Sequence, residues 1–342
     1  MATQLRKRLG NETVTMKTRR SFIKTVGTGT ALSALTFSTI GATASRLISE
    51  NPSGEKPIRI GIIGAENSHT IGLGKIFNVD KKFPGVEVKY LWGETEDFAK
   101  KAMAQGQIPN MVKDPLEMLG KIDALIVDHR HPKYHLVAAT PFVKAGIPTF
   151  IDKPFCYRVS EGKEFLAMAE AAGTPITSYS TVAQSDSTYD MAEQIRSMDK
   201  FDNIVCHGPA DIESPYGGIF FYGIHLVQPL MFMFGEDVKV VKINKYEKKA
   251  GAVLIFESGL QANLVFNSLH YGWETFVETK SGIIQLKSRV QETNPERCYR
   301  DLVELFRTGK EPLSHSSILK TVAILEALEK SVSSEKWEEV IL

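Results

Sequence analysis

Ile58-Arg59-Ile60-Gly61-Ile62-Ile63 runs directly into Gly64-Ala65-Glu66-Asn67-Ser68-His69. The first six residues are a short β-rich apolar run behind Pro57, and Gly64 ends it. A helix that opens near residues 68–70 and runs to about residue 78 makes the stretch a strand–turn–helix unit. The pattern repeats along the chain. Strands are expected at 86–92, 124–127, 149–151 and 176–179, with helices at 96–105, 134–145 and 160–172 between them. Alternating β and α units with short loops predict a parallel sheet covered on both faces, with ligands at the carboxyl ends of its strands.

The turn after the first strand is where such a sheet holds a dinucleotide. A Gly-x-Gly-x-x-Gly turn lets backbone amides approach the diphosphate at the helix N-terminus. Only the first glycine is present here: Glu66 takes the second position and His69 the third. A carboxylate beside a diphosphate is repelled unless Glu66 turns away to solvent. Asn67, Ser68 and His69 are expected to cap the helix or donate to a phosphate. Glu94, just beyond the second strand, stands where an acid holds ribose hydroxyls. His129, Arg130 and His131 follow the strand ending at Val127, on the ligand-bearing edge. They could bind an anionic sugar or the cofactor phosphates.

The chain has 342 residues, 43% of them hydrophobic, enough for two ordinary cores. Lysine and arginine number 41 against 40 acidic residues, a net charge of +1 that gives broad nucleic-acid binding no support. Cys156, Cys206 and Cys298 are widely separated and lack metal-ligand spacing, so no metal site is expected. Strand patterns continue in the second half at 204–207, 238–246, 252–257, 261–266 and 276–279.

The N-terminus differs from the rest. Arg6, Lys7, Arg8, Lys17, Arg19, Arg20 and Lys24 surround one acid, Glu12, and precede a weakly apolar stretch from Val26 to Ile40. Thr18-Arg19-Arg20-Ser21-Phe22-Ile23-Lys24 resembles a twin-arginine export signal. Met16 then reads as the start, and Ala42-Thr43-Ala44 as a cleavage site that leaves Ser45 first. The stretch is too short and too weakly apolar for a stable membrane anchor. Residues 1–44 are thus expected to be a leader and the mature protein periplasmic.

Further stretches resemble the glucose–fructose oxidoreductase, inositol dehydrogenase and rhizopine-catabolism family, Gfo/Idh/MocA. Asp123-Ala124-Leu125-Ile126-Val127, then His135 and Ala145-Gly146, are similar to its fourth strand and next helix. Ile151-Asp152-Lys153-Pro154 resembles its Glu-Lys-Pro signature, with Asp for Glu. Gly217-Gly218 followed by Gly223-Ile224-His225 resembles the segment carrying its catalytic histidine. Arg300-Asp301-Leu302 and Arg307-Thr308-Gly309-Lys310 resemble the start of its closing helices.

The resemblance implies a Rossmann domain over 57–180 and an α+β domain over 181–342 with a large, open, mainly antiparallel sheet. It also implies NAD or NADP as cofactor, hydride transfer on a sugar or polyol, and a homodimer or homotetramer. Lys153 matches the lysine that touches cofactor and substrate, and His225 suits proton abstraction. Where relatives carry Asp on either side of that histidine, this chain has Tyr222 and Gln228. Tyr222 is expected to work with Lys153 or to stack on a sugar ring. His135 reads as a structural match. Arg130, His131, Lys153, Tyr222 and His225 form the expected substrate set. Gly64, Asn67, Ser68, His69, Glu94, His129 and Lys153 form the cofactor set. The departures at 66, 222 and 228 leave a second reading open, a redox-inactive lyase, isomerase or sugar-binding protein. A third is a purely assembling role for the open sheet.

Overall fold

The structure is a computed structural model that describes residues 56–247 and 249–342. The leader expected over 1–44 lies outside the described residues. The first half is βα-alternating: β1 (Ile58–Ile63), α1 (Ser68–Gly74), β2 (Val86–Trp92), α2 (Glu96–Gly106), β3 (Asn110–Met111), β4 (Ala124–Val127), α3 (His135–Lys144), β5 (Thr149–Ile151), α4 (Val159–Ala172) and β6 (Ile176–Thr177). The six strands are parallel in the order β3-β2-β1-β4-β5-β6. The order reverses beside β1, which opens a crevice at the strand ends. All four β4 residues are buried, as its unbroken apolar run requires of a central parallel strand.

The second half begins with α5 (Asp186–Arg196), β7 (Phe201–Pro209) and α6 (Phe220–Phe234). Then come β8 (Val238–Tyr246), β9 (Lys249–Phe256), β10 (Gln261–Asn267), β11 (Glu274–Thr279) and β12 (Gly282–Leu286). The chain closes with α7 (Arg297–Thr308), α8 (His315–Ser334) and β13 (Glu338–Glu339). The second sheet runs β12-β11-β7-β10-β9-β8-β13. Its pairs are antiparallel except β7 with β10.

β3, α5, β12 and β13 were not expected from the sequence, and two further elements differ from the expectation for a physical reason. The first helix stops being α-helical at Gly74 and continues as a wider π-helical turn over Lys75–Val79. There the Asn78 amide exchanges two hydrogen bonds with the Val88 backbone of β2. The long α6 had no helical pattern to find, because eleven of its fifteen residues are buried. A helix buried nearly all round carries no amphipathic stripe.

Packing joins the halves. Cys298, Leu302, Val303, Leu305 and Phe306 of α7 share a core with Ile60, Ile62 and Val88 of the first sheet. A second core carries Leu125 and Val127 of β4 together with α6, α8 and the inner face of the second sheet.

Candidate active site

At the carboxyl end of β1, Gly64 has φ +120°. A Cβ there would lie 2.6 Å from the backbone carbon and oxygen of Asp128, so only glycine lets the ends of β1 and β4 approach so closely. Asn67 then caps α1, its side-chain oxygen accepting from the His69 amide. Its Nδ2 donates to Asp128 Oδ1 at 2.9 Å and to Asp152 Oδ2 at 3.0 Å. His69 Nδ1 lies 3.1 Å from Asp152 Oδ2. Of the two roles expected of these residues, Asn67 takes the capping one. The Asn67 Nδ2 and the His69 Nδ1 turn inward, because two buried carboxylates need partners, while the His69 side chain stays partly exposed. Ser68 alone of the three is exposed.

The two carboxylates are not equivalent. Burial, and then the charge of Asp152, push Asp128 above the usual carboxylate range. Burial would also raise Asp152, but the charge and hydrogen bond of His69, with Lys153, outweigh it and hold Asp152 low. Asp152 in turn raises His69. Ligand atoms of His69, Asp128 and Asp152 lie within 4.8 Å of one another. Asn67 already directs amide hydrogens at both carboxylates, which opposes a cation between them.

Glu94 stands at the end of β2. Its Oε2 accepts from the amides of Ala65 at 2.8 Å and Glu66 at 2.9 Å. Its Oε1 is buried without a protein partner. An acceptor so placed lacks only a donor, which is what a ribose hydroxyl offers. His129 is buried between the rings of Trp92 and Tyr134, and its Nδ1 is likewise unpartnered. Burial, then His135, lower its pKa to about 4, leaving the ring neutral.

Glu66 does not meet the condition of turning away to solvent. Its Oε1 accepts from the Tyr216 hydroxyl at 2.6 Å, and Arg130 lies 4.0 Å away. The Arg130 guanidinium stacks 4.2 Å from the Tyr216 ring centre and donates to its hydroxyl at 3.0 Å. The acid in the glycine position is thus clasped by a cation and a phenol. His131 stands apart from this group. Its Nδ1 accepts from Lys133, and its ring packs edge-on to Tyr157 in a separate cleft of about 420 Å³. His135 clamps the backbone, with one ring nitrogen 2.9 Å from the Pro154 carbonyl and the other 2.8 Å from that of His129.

Lys153, Tyr222 and His225 come together, from the end of β5 and the first turns of α6. The Lys153 Nζ lies 5.3 Å from the Phe221 ring centre and 5.7 Å from that of Tyr222. The Tyr222 and His225 rings are 5.7 Å apart, and Trp273 meets His225 edge-on at 5.7 Å. Burial, then the charge of Lys153, hold His225 well below the usual histidine range. Its Nδ1 is 2.7 Å from the buried Ser180 Oγ. Gln228, in the position of a family acid, accepts from the Ser180 amide at 2.6 Å.

Sequence reasoning missed Asp128, Tyr216, Phe221 and Trp273. Asp128 carried a usable signal, a carboxylate directly after a fully buried strand. Tyr216 and Phe221 lie next to Gly217 and Tyr222, in the segment already singled out, whereas Trp273 carried no signal because it reaches the site from a distant segment. Gly208 makes room for Trp273: a Cβ there would sit 2.7 Å from the indole Cδ1.

Comparison with known proteins agrees with this fold. A structure of apo scyllo-inositol dehydrogenase from Lactobacillus casei superposes with a TM-score of 0.68 at 16% identity, covering 84% of this chain and 99% of that one. GenD2 from gentamicin A biosynthesis, in complex with NAD, gives 0.69 at 12% identity over 89% and 100%. The Lactobacillus casei enzyme with bound NAD(H) and scyllo-inositol gives 0.67 at 16% over 83% and 99%. No curated protein matches the chain. Residues 58–180 match the model of the Gfo/Idh/MocA oxidoreductase family, described as an NAD-binding Rossmann fold. The first domain, residues 58–180, is therefore similar to the NAD-binding Rossmann domain of that family.

Proposed function

We propose that the chain is an NAD-dependent oxidoreductase that moves a hydride between a nicotinamide and a carbinol carbon of a sugar or polyol. The observation that carries the reading is the convergence of Lys153, Tyr222 and His225 at the carboxyl edge of the first sheet. The unpartnered Glu94 Oε1 supports NAD over NADP, because a second carboxylate oxygen welcomes ribose hydroxyls and repels a 2′-phosphate. The Lactobacillus casei enzyme, solved with NAD(H) and scyllo-inositol, supports a polyol substrate.

Glu94 and His129 would hold the adenosine side, Ser68 and Arg130 the diphosphate, and Lys153 the nicotinamide side. The bound nicotinamide supplies the hydride acceptor. Lys153, Tyr222 and His225 hold the substrate hydroxyl, and its proton passes to the Lys153 and Tyr222 side of the group. Phe221 and Trp273 wall the group and exclude water, which strengthens each polar contact inside.

The Glu66–Tyr216 clasp favours a second reading, a family member that binds a sugar and performs no redox chemistry. Residues 1–44 would serve as a twin-arginine leader to the periplasm. No helix among the described residues is long and apolar enough to cross a membrane. The outward face of the second sheet carries the half-buried Val205, Val253 and Ile255, which suits pairing with a second copy.

The test is NAD titration by calorimetry, followed by a polyol and sugar panel read as NADH formation. Lys153→Ala and His225→Ala are each expected to lose turnover by about 10²–10⁴-fold with the melting temperature retained. Unchanged rates in both would remove the site assignment, and absence of NAD binding would remove the redox reading.

A further inference from the structure

Ser180 connects β6 to α5 and is fully buried. Its Oγ accepts from the amides of Val182 at 3.1 Å and Ala183 at 3.4 Å, and lies 2.7 Å from His225 Nδ1. A hydroxyl has one proton to donate and two lone pairs. The two amides can only donate, so among the described residues the one acceptor for the Ser180 proton is His225 Nδ1. Were Nδ1 to carry a proton instead, Oγ would face three donors and its own hydrogen would be buried without an acceptor. An unsatisfied group of that kind is costly.

The geometry points to Ser180 as a positioning residue that donates to His225 Nδ1 and fixes the imidazole as its Nε2–H tautomer. His225 then faces the site as a hydrogen-bond donor. An Nε2 that already carries hydrogen has no lone pair for a substrate proton. It holds the substrate oxygen, which accepts equally well as an alcohol or as a carbonyl. The two flanking positions fit this arrangement. Tyr222 and Gln228 place no carboxylate beside Nδ1, so nothing there calls for a proton on that nitrogen. Gln228 spends its Oε1 on the Ser180 amide and so holds the serine in place. The donor role toward substrate rests on the oxidoreductase reading; the tautomer does not.

The test is two-bond proton–nitrogen correlation NMR on the full chain labelled with ¹⁵N-histidine. The His225 signals are assigned by their loss in His225→Gln. Expected is a neutral ring with Nε2 protonated and Nδ1 an unprotonated acceptor. In Ser180→Ala the Nδ1 resonance should move and the two tautomers should mix, while Ser180→Thr, which keeps the hydroxyl, should restore the original pattern. A wild-type His225 protonated at Nδ1, or a Ser180→Ala spectrum identical to wild type, overturns the inference. If either variant fails to fold, the wild-type spectrum alone decides. Because no turnover is read, a chain that never reduces NAD can still show the tautomer; that outcome removes only the substrate-donor role.

Discussion

Asp128 is the residue whose environment most contradicts its usual chemistry. It is fully buried, shares Asn67 with a second carboxylate, and faces the Thr70 hydroxyl, which also bonds the Gly64 carbonyl. A protonated Asp128 satisfies this set, giving its hydrogen to Thr70 while Thr70 gives its own to Gly64. Its pKa is pushed up to about 8 by burial and by Asp152, so the folded chain holds a proton the unfolded chain releases near the ordinary carboxylate value. Stability from this group is complete below the ordinary carboxylate value and is lost progressively as pH climbs from there to about 8. His69, also raised, acts in the same direction above the ordinary imidazole value. Asp152 is held low and acts oppositely, its contribution fading as pH falls below the usual carboxylate range. Asn at 128 mimics the protonated acid. Asp128→Asn should therefore match wild type only down near the ordinary carboxylate value and lose less stability as pH rises toward 9, with melting temperatures on the order of several degrees apart there. Parallel melting curves across pH would mean that Asp128 is charged in the fold.

At the scale of elements, the loop between β1 and α1 is tied to the second half of the chain. Tyr216 reaches across to Glu66, and Arg130 lies against both. A diphosphate approaching the α1 N-terminus meets this clasp first, so opening it is part of the cost of binding. Tyr216→Phe keeps the stacked ring and removes the hydroxyl. It should tighten NAD binding by up to about tenfold in calorimetry, since a hydrogen bond to a charged group is worth about 1.5–3 kcal/mol before solvent screening. Weaker NAD binding in this variant would show that Tyr216 serves the cofactor directly. The strands and helices of the first domain were legible because each carries its own periodicity and stop signal. Lys153 and His225 were legible through flanking motifs. The clasp was not, because Glu66 and Tyr216 are 150 positions apart and neither bears a local pattern. The inward turn of Asn67 and His69 was hidden for the same reason: it answers to Asp128 and Asp152, which only the folded sheet brings beside them.

For the whole molecule, the decisive feature is how the chain closes. The described residues form one compact unit. The first sheet buries one face under its own helices and under α7, which comes from more than a hundred residues downstream. Leu302, Val303 and Leu305 are buried against Ile60, Ile62 and Val88, and the Tyr179 hydroxyl donates to the Cys298 carbonyl at 2.6 Å. Removing α7 uncovers the central strands of a parallel sheet, which needs both faces covered. Each large apolar residue so exposed forfeits about 1.5–3 kcal/mol, and the loss over Ile60, Ile62 and Val88 is comparable with what a domain of this size holds in reserve. The fragment 56–180 should therefore fail to fold alone, despite matching a family domain model almost end to end. Circular dichroism should show residual secondary structure without a cooperative melt, and adding the separately produced segment 181–342 should restore the transition. A fragment that melts cooperatively by itself would make α7 a late addition to a finished domain, and the shared core would then owe nothing to the stability of the nucleotide site.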